Sequence, residues 1–335
     1  MRNIITAILI ALALSATVMA SSSNTGRSAY SFLKVGVSAK SQALAGAYVG
    51  LADDISCLYS NPGGLTAAIY DLNQPTDYYY EEDIDIGPKK IVPKTNRFLA
   101  TYTNYLLDFQ TGYLAYVRTL SDKSSLGVSI QYQDYGSFDR LDSTGQNLGT
   151  FGAIDMALGL TYSERLTESF SVGITGKFIF EKIDSSSSDA MAVDLGWLLR
   201  FDEGRTSLGW ALRNLGSQLK GHTKSHKDPL PLLFDFGISH SLRGMPLTVN
   251  ADITTPIDNN IYFSIGGQFE AFQPFFIRLG WSSQGLDYKT GSDKDRLGGF
   301  AGGFGYHLQD YNIDYSYSSF ADIGNVHRIS LGYDF

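Results

Sequence analysis

Residues 125–133 run Ser125-Leu126-Gly127-Val128-Ser129-Ile130-Gln131-Tyr132-Gln133. On an extended chain Leu126, Val128, Ile130 and Tyr132 share one side, and the serines, Gly127 and the glutamines share the other. Period-two alternation of this kind marks a strand with one apolar and one wet face. It recurs at 155–163, where Met156, Leu158, Leu160 and Tyr162 oppose Asp155, Ala157, Gly159, Thr161 and Ser163. In 171–181, Val172, Ile174, Phe178 and Phe180 oppose Ser171, Gly173, Thr175, Lys177 and Glu181, with Ile179 as the one exception. Near the end, Ile313, Tyr315 and Tyr317 alternate with polar residues, and Ile329, Leu331, Tyr333 and Phe335 close the chain in the same rhythm.

Extended over the chain, the pattern predicts fourteen strands: 97–106, 110–119, 125–137, 151–163, 169–182, 190–201, 205–214, 232–241, 246–254, 261–270, 275–283, 297–307, 311–319 and 326–335. Most approach the roughly 9–11 residues that a tilted strand needs to cross a bilayer. Loop length sorts by parity. Even-numbered strands lead into short links such as 121–123, 202–204 and 308–310, and odd-numbered strands into the long ones, 138–150, 215–231 and 284–296. A soluble sandwich has no reason for that sorting, whereas an up-and-down outer-membrane barrel has short periplasmic turns and longer outer loops. The expected fold is therefore all-β: a transmembrane antiparallel β-barrel of about fourteen strands (97–335), with both barrel termini periplasmic and a small N-terminal hatch or plug segment (21–96).

Composition agrees. Of 335 residues, 35 are Gly, 21 Tyr and 20 Phe, and only 18% are charged, too aromatic and too weakly charged for a disordered chain. The balance of 26 Lys+Arg against 34 Asp+Glu is acidic, which argues against a nucleic-acid partner. The single cysteine, Cys57, excludes an internal disulfide framework. At the start, Arg2, the apolar run Ile4 to Val18 and the small-residue site Val18-Met19-Ala20 read as a secretory signal over 1–20.

By alternation the inward face carries Arg118, Gln131, Asp155, Lys177, Asp194, Arg200, Arg213, Asp235, Asn250, Asp252, Arg278, His307 and Asp314. Such charges are costly in a dry core and suit a wet or plugged lumen, where neighbouring strands pair acids with bases. Outward aromatics, among them Tyr132, Tyr162, Phe180, Trp197, Trp210, Trp281 and Tyr333, are expected partly at the lipid–water boundaries. In the preceding segment, Asp53-Asp54 is placed to start a short helix. Asn61-Pro62-Gly63-Gly64 forces a turn. Residues 76–86 are acidic and aromatic, an extra hairpin arm or an insertion.

Phe32-Leu33-Lys34-Val35-Gly36, Ala43 to Ala52, Asp53-Asp54 and Tyr59-Ser60-Asn61-Pro62-Gly63-Gly64-Leu65 resemble the N-terminal signature of the PorV/PorQ family. That family is itself similar to the FadL group, whose hatch carries an Asn-Pro-Ala-Gly-like turn; here Gly63 replaces the alanine. Further matches are Tyr113 to Arg118, Asp314 to Tyr317 and Gly324 to Leu331, while 70–96 looks like an insertion relative to the family pattern. The resemblance implies a fourteen-stranded outer-membrane barrel with an N-terminal hatch, serving either type IX secretion, by receiving cargo proteins, or inward passage of hydrophobic compounds. The terminal Ile329, Leu331, Tyr333 and Phe335 resemble the signal read by the outer-membrane assembly machinery, and also form a plain last strand.

Catalytic motifs are missing from the linear sequence. His222 and His226 are spaced i,i+4 but have no zincin glutamate, and no Gly-x-Ser-x-Gly elbow or Walker loop occurs. Gly298-Gly299 and Gly302-Gly303 are expected within a strand, and Asp287 to Asp295 lacks the spacing of a calcium loop. No metal or cofactor is expected. The leading expectation is a non-enzymatic outer-membrane barrel in secretion or transport. Its expected partners are outer-membrane lipid, the assembly machinery, and cargo proteins or hydrophobic ligands at the outer loops. A FadL-like channel for hydrophobic solutes is the alternative, which requires a greasy pocket between hatch and wall. An outer-membrane hydrolase is a third reading, opposed by the absent motif.

Overall fold

The computed structural model describes residues 26–67, 95–223, 226–288, 290–291 and 293–335. The expected signal over 1–20, the acidic-aromatic stretch 76–86 and nearly all of the expected insertion lie outside them.

Fourteen strands close into a single antiparallel barrel in which each is bonded to its sequence neighbours and β1 to β14. They are β1 (Asn96–Asn104), β2 (Gln110–Ser121), β3 (Ser124–Leu141), β4 (Asn147–Arg165), β5 (Phe170–Ile183), β6 (Ser186–Phe201), β7 (Thr206–Lys220), β8 (Leu233–Ser241), β9 (Leu247–Pro256), β10 (Tyr262–Phe272), β11 (Phe275–Ser282), β12 (Phe300–Leu308), β13 (Tyr311–Ser319) and β14 (Asn325–Asp334). The seam is full-length: β1 and β14 pair from Arg97↔Asp334 to Asn104↔His327. The end with the short even-numbered links and the two barrel termini is called the base here, and the other end the mouth. Closure removes every unpaired strand edge, which a lipid-facing sheet cannot leave open.

The outer surface is apolar where lipid would lie. Leu126, Val128 and Ile130 on β3, Leu158 and Leu160 on β4, Phe263 and Ile265 on β10, and Ile329 and Leu331 on β14 are all exposed. Inside, the strands bury Gln131, Gln133, Asp155, Asp194, Asp235 and Ser330. This is polarity reversed from a water-soluble barrel, as a lipid exterior and a polar lumen require.

Two expected loops are partly strand. β3 runs on to Leu141 and β4 begins at Asn147, so the span 138–150 is mostly a projecting hairpin. β7 continues to Lys220, shortening the span 215–231. These extensions are polar or exposed on both faces (Ser137, Asp139, Arg140, Thr150), so they lack the alternation by which strands are recognised. Gly298 and Gly299 precede β12 rather than lying in it, and Gly299 needs its positive φ of 85° to turn the chain.

Residues 26–67 pack against the inner wall of the barrel and are called the hatch below for that position alone; they hold two short helices, α1 (Ala39–Ala43) and α2 (Cys57–Ser60), and a 3-10 turn at Ser31–Lys34. Ser38 caps α1 by accepting from Ser41 N–H. The helix expected at Asp53-Asp54 starts later. Asp54 Oδ1 instead accepts from the N–H of Ser56 at 2.7 Å and from its hydroxyl, an Asx turn that leads into α2 at Cys57.

Candidate functional site: the hatch and the lumen wall

The hatch runs through the lumen from mouth to base. Its first residues touch the mouth: Gly26 N–H donates to Asp258 O, Ala29 N–H to Pro229 O, and Lys34 Nζ pairs with Asp258 at 2.7 Å. Its last residues touch the base: Thr66 N–H reaches Ser163 Oγ at 3.3 Å, and Arg200 donates to the Ala67 carbonyl at 3.1 Å.

Between these ends, hatch backbone is pressed onto lumen-facing glycines. A β-carbon on Gly173 would strike the Pro62 carbonyl, one on Gly196 the Asn61 side-chain oxygen, one on Gly209 the Val49 carbonyl, and one on Gly280 the Leu44 backbone. The contact is mutual at Gly63, where a β-carbon would fall 2.6 Å from Trp197 N and 2.7 Å from Gly196 C. That accounts for glycine where the resembling turn has alanine: here the turn lies too close to β6 for a side chain.

Polar pins hold this arrangement. Asn61 Nδ2 donates to Val49 O at 2.9 Å and to Trp197 O at 3.0 Å, while its oxygen accepts from Gly63 N–H at 3.1 Å. Asp252 on β9 accepts both Tyr48 N–H and Val49 N–H at 2.7 Å. Ser207 donates to Gly50 O at 2.6 Å, Gln131 to Phe32 O at 2.9 Å, and Arg328 to Gly36 O at 3.1 Å. Buried backbone carbonyls and amides in the stretches outside α1 and α2 are thereby satisfied, mostly by the wall.

The charged lumen residues form pairs. Lys177 Nζ meets Asp194 at 2.5 Å, Arg213 Nε meets Asp235 at 2.7 Å, and Arg278 bonds both Gln268 and Asp314, the latter also held by His307. Asp155 accepts from Tyr135 Oη at 2.6 Å. In the hatch, Lys40 pairs with Asp53 at 2.8 Å and approaches Asp54 at 3.9 Å. Burial works against the Lys40 charge, but Asp53 and Asp54 together hold its pKa above the ordinary value. Burial likewise opposes the Asp53 carboxylate, yet the adjacent ammonium keeps its pKa below the usual range.

Of the expected lumen residues, Asp155, Lys177, Asp194, Arg200, Arg213, Asp235, Asp252 and Arg278 point inward. Arg118 does not. It is exposed on the outward parity of β2 with Leu114 and Tyr116, while Tyr113, Ala115 and Val117 are buried beneath the hatch. The inner wall is apolar at that place because the hatch's own core, including Leu58 and Leu65, packs there, so reading the polar side as the inner side fails on β2. The same logic explains Ile179. It faces inward and is fully buried in a second apolar cluster with Tyr30, Phe32 and Leu33 of the hatch, Ala157 of β4, Ala190 and Ala192 of β6, and Leu230. This patch is a second apolar area of the wall, just below the mouth. The hatch side chains occupy it, so the greasy space expected between hatch and wall is filled in this structure.

A half-open cleft of about 650 Å³ lies at the mouth beside the hatch, lined by Arg27, Ser28, His226, Lys227, Asp228, Ile257 and Asp258 among others. His222 and His226 do not converge: one bonds Glu181 and the other Asp228. Among the described residues there is no cluster of three or more potential metal ligands. Asn61, Asp252, Arg328 and Gln131 together make the hatch attachment. Only Asn61, in its Asn-Pro-Gly-Gly turn, carried a sequence signal for that role.

No protein-family model matches the chain, and no curated protein matches it either. Solved structures do. The toluene transporter TbuX of Ralstonia pickettii superposes with a TM-score of 0.56 at 13% identity, covering 90% of this chain and 98% of its own. The toluene transporter TodX of Pseudomonas putida gives 0.57 at 13% identity, covering 89% and 98%. A FadL homologue of Pseudomonas aeruginosa gives 0.53 at 12% identity, covering 89% and 98%. At such identities the likeness is one of fold: a closed fourteen-stranded antiparallel barrel, as in these proteins.

Proposed function

We propose that the protein is an outer-membrane channel for hydrophobic small molecules, closed at rest by its hatch. Residues 1–20 export it, the base with both barrel ends faces the periplasm, and the mouth faces outward. The observation that carries this reading is the apolar patch around Ile179 on the lumen wall. A hydrophobic solute entering at the mouth gains about 25 cal/mol per Å² of apolar area that it buries against this patch, offset by the area of Phe32 and Leu33 that it exposes in displacing them. Similar folds described as a toluene transporter and a monoaromatic hydrocarbon channel support the same substrate class.

The test is uptake of radiolabelled toluene and of a long-chain fatty acid by cells that lack other such channels and express this chain. Faster accumulation than in empty-vector cells is expected, and uptake of both compounds no faster than in empty-vector cells would overturn the reading. A secretion role of the PorV type rests on the N-terminal sequence resemblance. It is favoured by one feature, the projecting β3–β4 hairpin with exposed Phe138, Leu141 and Leu148, which offers a protein partner an apolar surface at the mouth.

A further inference from the structure

At the mouth, Glu181 and Ser186, on either side of the β5–β6 turn, meet His222, which lies 36 residues beyond Ser186. Ser186 opens β6, Glu181 is near the end of β5, and His222 follows β7. Ser186 Oγ lies 3.0 Å from His222 Nδ1 and 3.4 Å from the His222 carbonyl oxygen. His222 Nε2 lies 2.6 Å from Glu181 Oε1. With the carboxylate accepting from Nε2–H, the imidazole tautomer is set and Nδ1 is left bare toward the serine hydroxyl. We propose that Ser186, His222 and Glu181 form a serine-hydrolase site for carboxylic esters, an activity additional to the channel and independent of it.

The logic is that of a nucleophile, a base and a group that orients the base, recognised by geometry rather than by sequence order. Ser186 Oγ bonds to the ester carbonyl carbon as its proton passes to His222 Nδ1. The tetrahedral adduct collapses, the carbon–oxygen bond to the alcohol breaks, and the alcohol leaves with that proton. Water, deprotonated by the same nitrogen, then releases the acid and restores the serine. Glu181 is a positioning residue and stabilises the imidazolium formed in each half.

Location selects the substrate class. Ser186 is directly cross-strand from Ile183, whose exposed side chain lies on the same inward face and offers apolar support for an acyl or aryl group. Further down the same face lie Ile179 and its cross-strand partner Ala190, in the apolar patch. The site thus stands between bulk water and the entrance of a hydrophobic channel, where an ester would be cut before passage. The linear sequence hides it, because the three residues meet only through the β5–β6 turn and the segment after β7.

The experiment uses the full-length protein purified in detergent, with p-nitrophenyl butyrate as substrate and a fluorophosphonate as covalent probe. The probe should add its mass to the peptide carrying Ser186, and hydrolysis should fall to background in Ser186→Ala. His222→Gln should slow both reactions by about 100-fold or more. Ser187→Ala, altering the adjacent serine on the opposite face, should leave both unchanged. Each variant is accepted only if it keeps the gel migration of the folded barrel, and labelling of the wild type decides the matter if a variant fails to fold. No adduct on Ser186, or equal hydrolysis in Ser186→Ala, overturns the proposal. Uptake of toluene, which has no ester, should be untouched by Ser186→Ala, so failure here and failure of the channel reading are distinguishable.

Discussion

The side-chain oxygen of Asn61 occupies the space a β-carbon on Gly196 would fill, so the hatch turn rests directly on the backbone of strand β6. Gly63 presses back onto Trp197 in the same way. Adding one methyl group to this contact forces backbone apart, because neither partner is a flexible side chain. Gly63→Ala is expected to destabilise the protein by about 1–3 kcal/mol, the usual cost of overpacking. The measurement is the temperature at which the folded form is lost on a gel. An unchanged temperature would mean that the turn floats free of the wall.

Asp252 holds two hatch amides with one carboxylate oxygen. Asp252→Ala strips both N–H groups of their partner and is expected to loosen the middle of the hatch while leaving the strands paired. In planar bilayers this should appear as more frequent or larger conductance steps than in wild type, with circular dichroism unaltered. Identical traces would show that the carboxylate is not a fastening.

Acid should release the first turn of the hatch. The Asp53 pKa is depressed in the folded state, so its contribution is complete above the ordinary value of 3.8 and is lost as pH falls through the lowered one. Lys40 is shifted upward, so its contribution is complete below 10.5 and is lost only as pH rises further. Between those limits hatch protection from an added protease should be flat, and it should drop below about pH 4. Asp53→Asn should show weaker protection at neutral pH and a smaller acid-dependent drop, since Lys40 then keeps only the more distant Asp54.

Ile179 tests the channel reading. Ile179→Asp places a carboxylate against Phe32 and Leu33 in a patch with no cation among its members. Uptake of toluene is expected to fall at least several-fold while the barrel still forms. Full retention of uptake would remove the patch from the path.

Strand number and order were legible in the sequence because lipid outside and polar groups inside impose a two-residue rhythm on each strand that crosses the membrane. Legibility failed where that contrast is missing. Beyond Ser137 the β3–β4 hairpin is exposed on both faces, so it lacks the alternation of a strand and 138–150 reads as a loop. On β2 the hatch supplies an apolar interior, and Arg118 was assigned to the wrong side. Ile179 stood out correctly as an exception, but nothing local named Phe32 as its partner. The pins on the hatch were out of reach for a related reason. Asp252 and Arg328 are ordinary inward polar residues in sequence, and only the path of residues 26–67 gives them a role.

That path constrains how the molecule is built. The hatch reaches from the mouth to the base and leans on both edges of the seam, through Leu99 of β1 and through Ala39 N–H to Ser330 of β14. Threading it through an already sealed ring would mean dragging Lys40, Asp53 and Asp54 past paired arginines and bare glycines. The wall must instead be rolled around a segment already in place, with the β1–β14 zipper as the closing act. Biogenesis then has a built-in checkpoint, since strands without residues 26–67 in place have nothing to wrap.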